Sequence, residues 1–254
     1  VIEVASNETP NVIEPVENQP GPAEGNTLPN SEVAAVVLSD GGREFKLDGG
    51  GNVIGTFAAE YDRRIAAAVQ SGTVPVSSEA CRLKTSAGVL MGPGGVGAFR
   101  VVSPVGKVVA SDRPEFRWSA IPGAASYRIE VFDANFSKVA ESGKVSGRRW
   151  RPATRLPRGR EYTWQVAAVT IDGQTIRAPE RPAPDARFLV LSAAKAAQIE
   201  RARRLYPRSN LVLGLVYADA GLVDEAEAQF RQLVAKNPNS TAARKLLNSI
   251  RSRK

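Results

Sequence analysis

The hydrophobic residues of this chain change their spacing near residue 191, and this change constrains the fold more than any other feature of the sequence. Between residues 99 and 190 they alternate with a period of two, as Phe116 and Trp118 do, which is typical of strands with one buried face. Between residues 191 and 254 they recur with a period near 3.6, which predicts helices. Since no single element satisfies both periods, the chain must contain two differently built parts.

The segment from residue 99 to residue 190 is expected to form a β-sandwich. Its alternating runs make roughly six or seven short strands, bounded by turn residues such as Asp172 and Gly173. The run from Leu156 to Tyr162 resembles the turn into the tyrosine corner of the fibronectin type III group, and Trp118 stands where that family has a core tryptophan. The resemblance implies an immunoglobulin-like sandwich and says little about function.

The segment from residue 191 to residue 254 is expected to form four helices, over about 192–205, 208–219, 223–236 and 240–252. The central pair resembles a tetratricopeptide repeat, whose spacing is matched by Leu213, Gly214, Tyr217, Gly221, Ala226, Phe230 and Pro238. Asn210 and Leu233 depart from the pattern, because that family usually has a bulky aromatic and an alanine there. One repeat cannot bury its own faces, so the flanking helices must cap it.

The resemblance to this repeat family implies a protein-binding surface on the first helix of the pair. The positions predicted to face outward are Arg208, Leu211, Leu215, Ala218 and Asp219, and the protein-binding candidates among them are Arg208, Leu211, Leu215 and Asp219. Two leucines on a solvent face need a cover. The cover is either the helix at 192–205, packing back through Ile199 and Leu205, or a segment of a partner, and we favour the internal cover.

Residues 1–32 are expected to be a disordered acidic tether. The first 30 residues hold five Glu, five Pro and no Lys or Arg, which leaves little apolar area to offset the chain entropy. A tether that starts at Val1 suggests the loss of an upstream signal peptide or membrane anchor, although a boundary without biological meaning fits equally well. We therefore expect an extracytoplasmic location, with membrane association through the missing anchor.

Residues 33–98 are expected to form a small glycine-rich α+β element. Short apolar runs separated by Asp-Gly and Gly-Gly pairs indicate hairpins. Tyr61 and Ile65 lie on one face of an amphipathic helix that ends near Gly72, and a last strand is predicted from Arg82 to Met91. The element is either an independent unit or a β extension of the sandwich.

The composition excludes most catalytic chemistry. The chain has no His and one Cys, Cys81, so it lacks an imidazole base, a histidine or cysteine metal cluster and an intrachain disulfide. The G-x-G-x-x-G run from Gly92 to Gly97 precedes a predicted strand, where a dinucleotide site needs a helix, so we interpret it as a hinge. The Ser192-to-Lys195 S-x-x-K pattern is better explained by a helix cap. We expect no catalytic residue, no metal and no cofactor.

Arginines are concentrated in one part of the predicted sandwich. The chain carries a net charge of +8, and six arginines fall between residues 148 and 160: Arg148, Arg149, Arg151, Arg155, Arg158 and Arg160. The planar guanidinium binds two oxygens of a phosphate or carboxylate at once, so these residues are anion-binding candidates. The competing explanations are a solvated strand edge that prevents aggregation, which we weight somewhat higher, and neutralisation by the acidic tether.

These observations predict a multidomain α+β protein with four parts: the tether at 1–32, the α+β element at 33–98, the fibronectin-like sandwich at 99–190 and the helical module at 191–254. Both resemblances imply protein contact. We therefore expect a non-catalytic protein-interaction or scaffolding module of the bacterial cell envelope, for example an accessory subunit of a membrane complex. The alternative is a protein that binds an anionic polymer, such as nucleic acid, acidic polysaccharide or lipid headgroups, through its arginines.

Overall fold

The computed structural model describes residues 35–54, 57–87, 99–180 and 185–253, so the tether at 1–32 and the glycine run at 92–97 lie outside the described residues. The strands are β1 (Val36–Asp40), β2 (Arg43–Leu47), β3 (Val53–Ile54), β4 (Val101–Ser103), β5 (Lys107–Val109), β6 (Phe116–Trp118), β7 (Ala124–Phe132), β8 (Lys138–Glu141), β9 (Arg149–Trp150), β10 (Glu161–Thr170), β11 (Thr175–Ala178) and β12 (Ala186–Val190). The helices are α1 (Ala59–Ser71), α2 (Ser78–Ala87), α3 (Ala193–Leu205), α4 (Asn210–Asp219), α5 (Val223–Lys236) and α6 (Thr241–Arg251). None of these helices is both long and apolar enough to cross a bilayer.

The period-two segment forms the expected β-sandwich. Strands β4, β6 and β9 make one sheet, and β5, β12, β10, β7 and β8 make the other, to which β11 adds by pairing with β10. The alternating residues of β10 are buried, and the inward residues of both sheets meet in one core. Its largest members are Phe116, Trp118, Tyr127, Tyr162, Trp164 and Phe188.

The tyrosine corner is formed as the sequence predicts. The hydroxyl of Tyr162 donates to the carbonyl of Pro157 at 2.8 Å, and its side chain is almost fully buried. Trp118 also lies in the core, but its indole N–H has no acceptor among the described residues. The indole N–H of Trp164, in contrast, donates to the carbonyl of Pro104 at 2.7 Å. The core tryptophan at position 118 therefore contributes packing without a hydrogen bond.

The period-3.6 segment forms four helices close to the expected bounds. Ser192, Ser209 and Ser240 each precede a helix, and each side chain accepts a hydrogen bond from a backbone N–H in the first turn. These caps satisfy donors that a helix start leaves free. Gly214 lets α4 approach α5, because a Cβ at this position would lie 2.8 Å from the ring of Phe230.

The strand expected from Arg82 to Met91 is wrong where the structure describes it. Residues 78–87 form helix α2, which contacts β5 and β12 of the sandwich. Ala80 and Leu83 are three residues apart and both are buried, so one helical turn carries them to the same side. The contact with the sandwich therefore selects the helical spacing over the alternating one.

The N-terminal element and the helices share one hydrophobic core. Leu38, Phe45, Ile65 and Leu83 belong to the same buried cluster as side chains of α3 to α6. Helix α1 contacts α4 and α6, and β1 contacts α5. The N-terminal element is therefore packed together with α3 to α6, and we call residues 35–87 and 191–253 the helical body. The division of the chain at residues 98 and 190 stays a prediction.

The β1–β2 hairpin is fixed to the start of α4 by Asp40. The buried carboxylate of Asp40 accepts hydrogen bonds from the Ser209 hydroxyl, from the backbone N–H of Asn210 at 2.6 Å and from that of Leu211 at 3.2 Å. The next residue, Gly41, has a φ of +62°, and a Cβ there would lie 2.9 Å from the backbone of Arg208. Glycine is required at this turn both by its conformation and by the closeness of the two chains.

The sandwich meets the helical body at Gly221, in the turn between α4 and α5. A Cβ on Gly221 would lie 2.7 Å from Ser77 Oγ and 2.9 Å from Val108 Cγ2 of β5. Around this point, Lys107 pairs with Asp224 at 3.1 Å and Arg82 with Glu161 at 3.2 Å. Three parts of the chain thus touch at one glycine.

Candidate functional site

The predicted arginine cluster divides into groups that hold different carboxylates. Arg149 of β9 lies opposite Arg117 of β6 in the strand register, and Glu115 pairs with Arg117 at 2.5 Å and with Arg151 at 3.3 Å. The hydrogen bond from Arg117, together with the charge of Arg151, lowers the pKa of the Glu115 carboxyl below its usual value. Glu115 therefore pairs with two of three neighbouring cations, and the side chains of Arg117, Arg149 and Arg151 are all exposed.

Arg155 and Arg158 form a second group around Asp112. Both guanidinium groups lie 3.5 Å from the Asp112 carboxylate. Arg158 is half-buried, and it also donates to the carbonyl oxygens of Ala110 at 2.9 Å and Leu191 at 3.3 Å. Arg158 therefore fastens the end of the sandwich where the chain enters the helical body, which is a structural task.

Arg148, Arg149 and Arg160 are exposed and form no ion pair with any described residue. Arg149 is the first residue of β9, which pairs with β6, and Arg148 directly precedes it in the chain. Arg160, in contrast, directly precedes β10 of the other sheet. We name Arg117, Arg148, Arg149 and Arg151 the arginine surface. Its four positive charges meet one carboxylate, that of Glu115, among the described residues, so the surface carries an excess of positive charge.

The candidates on the helical body fall in very different environments. Leu211 is 0% exposed and Leu215 5% exposed, so neither leucine is available to a partner. The carboxylate of Asp219 pairs with Arg64 at 3.4 Å, and its carbonyl accepts from Lys195 at 3.1 Å. Arg208 is exposed.

The leucines are covered from within the chain, but the details differ from the expectation. Ile199 of α3 is buried as expected, whereas Leu205 is 52% exposed. Helix α1, from the N-terminal element, also contacts α4, and every residue from Asn210 to Ala218 is buried. The cover therefore comes from two sides, one of which is more than a hundred residues away in the sequence.

Arg208 lies at the rim of a cavity that the sequence did not indicate. The cavity measures about 430 Å³ and is lined by Gly41, Gly42, Pro207, Arg208, Asn210, Leu213, Gln229, Gln232 and Lys236. Asn210 is 3% exposed, and its side-chain Nδ2 has no hydrogen-bond partner among the described residues. Asn210 is also a position at which the sequence departs from the repeat pattern, but that departure predicted no cavity.

Asp40 directly precedes Gly41 of the cavity lining and is hydrogen-bonded to the start of α4. Burial raises the pKa of the Asp40 carboxyl, while hydrogen bonds from Ser209, Asn210 and Leu211 and the charge of Lys236 act in the opposite direction. Sequence reasoning missed Asp40, because its partners lie about 170 residues further along the chain.

The remaining motifs have structural explanations. Ser192 Oγ accepts from the backbone N–H of Lys195 at 3.3 Å, and Lys195 Nζ lies 3.3 Å from Glu79, so the S-x-x-K residues cap a helix and bridge two elements. Cys81 is half-buried and forms no disulfide within the chain, which has no second cysteine. Within the described residues, no group of three or more His, Cys, Asp and Glu side chains could hold a metal ion.

The strand order and the shared core define a β-sandwich joined to a helical body, and the comparisons with known proteins concern the sandwich. No protein-family profile and no curated protein matches the chain. CopC from Methylosinus trichosporium OB3b is 20% identical over 36% of this chain and 92% of its own, with a TM-score of 0.27. The fibronectin(III)-like modules of Clostridium thermocellum CbhA are 15% identical over 36% of this chain and 93% of their own, with a TM-score of 0.26.

Proposed function

We propose that the protein is a non-catalytic interaction module of the bacterial cell envelope, which binds an acidic surface of a protein partner through its arginine surface. In this proposal the sandwich is fibronectin-like, the helical body is a capped tetratricopeptide-like pair, and the chain serves as an accessory subunit near a membrane. The observation that carries the proposal is an exposed set of four arginines, Arg117, Arg148, Arg149 and Arg151, of which two, Arg117 and Arg151, pair with a described carboxylate, that of Glu115. Arginine is enriched in protein interfaces because it combines a planar donor fork with a long apolar stem.

The chemistry of the chain supports a binding role. The sequence has no histidine, and its half-buried S-x-x-K pair is used in capping and bridging. Arg117 and Arg149 are neighbours across two strands, an arrangement that like charges disfavour. An anionic partner would relieve this repulsion on contact.

A pull-down from an envelope fraction with matched variants tests the proposal. Arg148, Arg149 and Arg151 are replaced by Ser in one protein, and the equally exposed Arg63, Arg204 and Arg253 in the control, so both lose three positive charges. We expect the first variant alone to lose its protein partner. Retention of every partner by the first variant, or the same loss in the control, would contradict the proposal.

The location is tested separately. The acidic, proline-rich segment at 1–32 supports an extracytoplasmic tether as part of the proposal. Fractionation of cells that express the full-length gene should recover the protein with the periplasm or the membranes. Recovery in the cytoplasm would contradict the extracytoplasmic location, but it would not bear on the proposed binding surface.

The second candidate function is binding of an anionic polymer at the same surface. It is favoured by Arg148 and Arg149, which form no ion pair with any described residue. Affinity for duplex DNA as a probe should then fall with salt, with a log–log slope near −0.9 per phosphate contact. Replacing Arg148, Arg149 and Arg151 with Ser should flatten that slope by about three units. Salt-insensitive binding, or no binding at low salt, would exclude this candidate.

A further inference from the structure

The cavity between the β1–β2 hairpin and the α4–α5 pair has the features of a built ligand site. Its volume of about 430 Å³ lies within the usual range for sites that hold small ligands or single side chains. We propose that it binds the carboxylate of an acidic side chain in a peptide segment of a partner protein. This inference goes beyond the arginine surface, because the cavity lies in the helical body.

The charges of the lining favour one negative group. Arg208 and Lys236 are exposed at the cavity, and no acidic residue is among its lining residues. Asp40 directly precedes Gly41 of the lining, and three donors from the start of α4 already occupy its carboxylate. Two cations at the cavity and no acidic residue in its lining favour a negatively charged group of a ligand.

The side chain of Asn210 indicates a ligand site rather than a solvent-filled depression. Asn210 is 3% exposed, it lines the cavity, and its side-chain Nδ2 has no acceptor among the described residues. Buried amides without a partner are rare in folded proteins, so each one requires an explanation. An oxygen of the bound peptide would supply the missing acceptor.

The walls suit an acidic side chain better than a bare inorganic anion. Pro207 and Leu213 give the cavity an apolar part that fits the methylene groups of glutamate, while Gln229 and Gln232 offer further amide groups. A Cβ on Gly41 would lie 2.9 Å from the Arg208 backbone, whereas one on Gly42 would meet nothing within 4 Å. The hairpin is thus held closely against the Arg208 backbone, which preorganises this wall of the cavity.

The experiment is a titration of the isotope-labelled full chain, followed by NMR signals of the Asn210, Gln229 and Gln232 side-chain amides. The probes are two pools of blocked pentapeptides with mixed flanking residues, one with a central glutamate and one with a central glutamine. The titration runs to roughly 10 mM, above the dissociation constant of about 1 mM expected for a weak peptide contact. Acetate serves as the bare carboxylate.

We expect saturable shifts with the glutamate pool alone. The substitutions Arg208→Gln and Lys236→Gln should each weaken the affinity about tenfold, the loss of one charge-assisted hydrogen bond. Lys144→Gln removes an exposed charge from the sandwich and should leave the affinity unchanged. A protein with Ser at positions 148, 149 and 151 should also bind normally, so failure of the arginine surface and failure of the cavity are distinguished.

Three results would overturn the proposal. The first is the absence of shifts with the glutamate pool, and the second is equal binding of the glutamine pool. The third is equal affinity for acetate, which would show that the peptide contributes nothing. If Arg208→Gln unfolds the chain, Lys236→Gln decides the question, because Lys236 is an exposed residue at the end of α5.

Discussion

The two hydrophobic cores of this protein are assembled in opposite ways. Every buried residue of the sandwich core lies between Phe116 and Val190, in one continuous stretch of sequence. The core of the helical body begins at Leu38, takes Val108 and Leu189 from the sandwich and ends at Ile250. The sandwich core is therefore formed by one contiguous part of the sequence, whereas the core of the helical body also requires a segment that precedes the sandwich.

This difference follows from what each element can cover. Two sheets with alternating residues bury each other's inner faces and need no further layer. Helix α4 is apolar on all sides, and such a helix is stable only when it is surrounded. The N-terminal element covers the remaining side of α4. Its contacts therefore matter more to the helices than to the sandwich.

The largest expected effect comes from a chain that begins at residue 99. It lacks Leu38, Phe45, Ile65 and Leu83, whose burial contributes about 1.5–3 kcal/mol each. Their sum is comparable to the whole stability of a typical domain, about 5–15 kcal/mol. We expect the helices to lose their cooperative melting while the sandwich keeps its own.

Two spectroscopic probes separate these outcomes. All three tryptophans, Trp118, Trp150 and Trp164, lie in the sandwich, so tryptophan fluorescence follows the sandwich and far-ultraviolet circular dichroism follows the helices. Residues 99–191 alone serve as the control. Cooperative helical melting in the shortened chain would break the comparison between the two cores.

The second prediction concerns the hairpin that holds α4. Gly41→Ala should lower the free energy of unfolding by about 2–4 kcal/mol, because it combines an unfavourable positive φ with overlap against the Arg208 backbone. Gly42→Ala has a positive φ of +83° but open space, and should cost only about 1 kcal/mol. Equal losses in chemical denaturation would show that the close approach contributes nothing.

The third prediction compares two tyrosine hydroxyls. Tyr162→Phe removes a hydrogen bond to Pro157, five residues away, and Tyr206→Phe removes the acceptor of the Ala58 N–H, 148 residues away. Each change should cost about 1 kcal/mol. By native-state hydrogen exchange, the first should act within the sandwich, and the second should loosen α1 and α3 together. Faster exchange confined to α3 in the second variant would contradict the shared core.

The smallest expected effect is a pH dependence that belongs to the helical body. Burial raises the folded pKa of Asp40 above its unfolded value near 3.9, so between these two values the native state holds a proton that the unfolded chain has released. This contribution to stability is complete below about 3.9 and is lost as the pH rises through the folded pKa. The unfolding free energy of the natural chain, minus that of Asp40→Asn, should therefore fall with rising pH. A difference that rises with pH would reverse the assigned direction.

The comparison also explains what sequence reasoning could reach. The sandwich, its tyrosine corner and the four C-terminal helices were predictable, because alternation, turns and serine caps act between near neighbours. Helix α2 was mistaken for a strand, since its selection depends on contact with β5 and β12. The bond between Asp40 and Ser209 spans 169 residues, and no local pattern encodes it.

The two candidate sites show the same difference between features that are local in the sequence and features that need long-range contacts. The arginines were visible as composition, but only the strand register shows that Arg117 joins Arg149 and that Arg158 has a structural partner instead. The cavity at Asn210 needs the hairpin and two helices at once, so its lining could not be assembled from a linear pattern.

Gly221 has a consequence for how strongly a partner could be held. Because a Cβ on Gly221 would overlap Ser77 Oγ and Val108 Cγ2, the sandwich and the helical body are in close contact at this turn, and this contact opposes a pivot there. A partner that touched the arginine surface and the cavity together would meet a span of constant length. Its second contact would then form at a high effective concentration, so two weak contacts would add up to long residence, but only for a partner of matching reach. The distance between the arginine surface and the cavity would thus select partners by length as well as by charge.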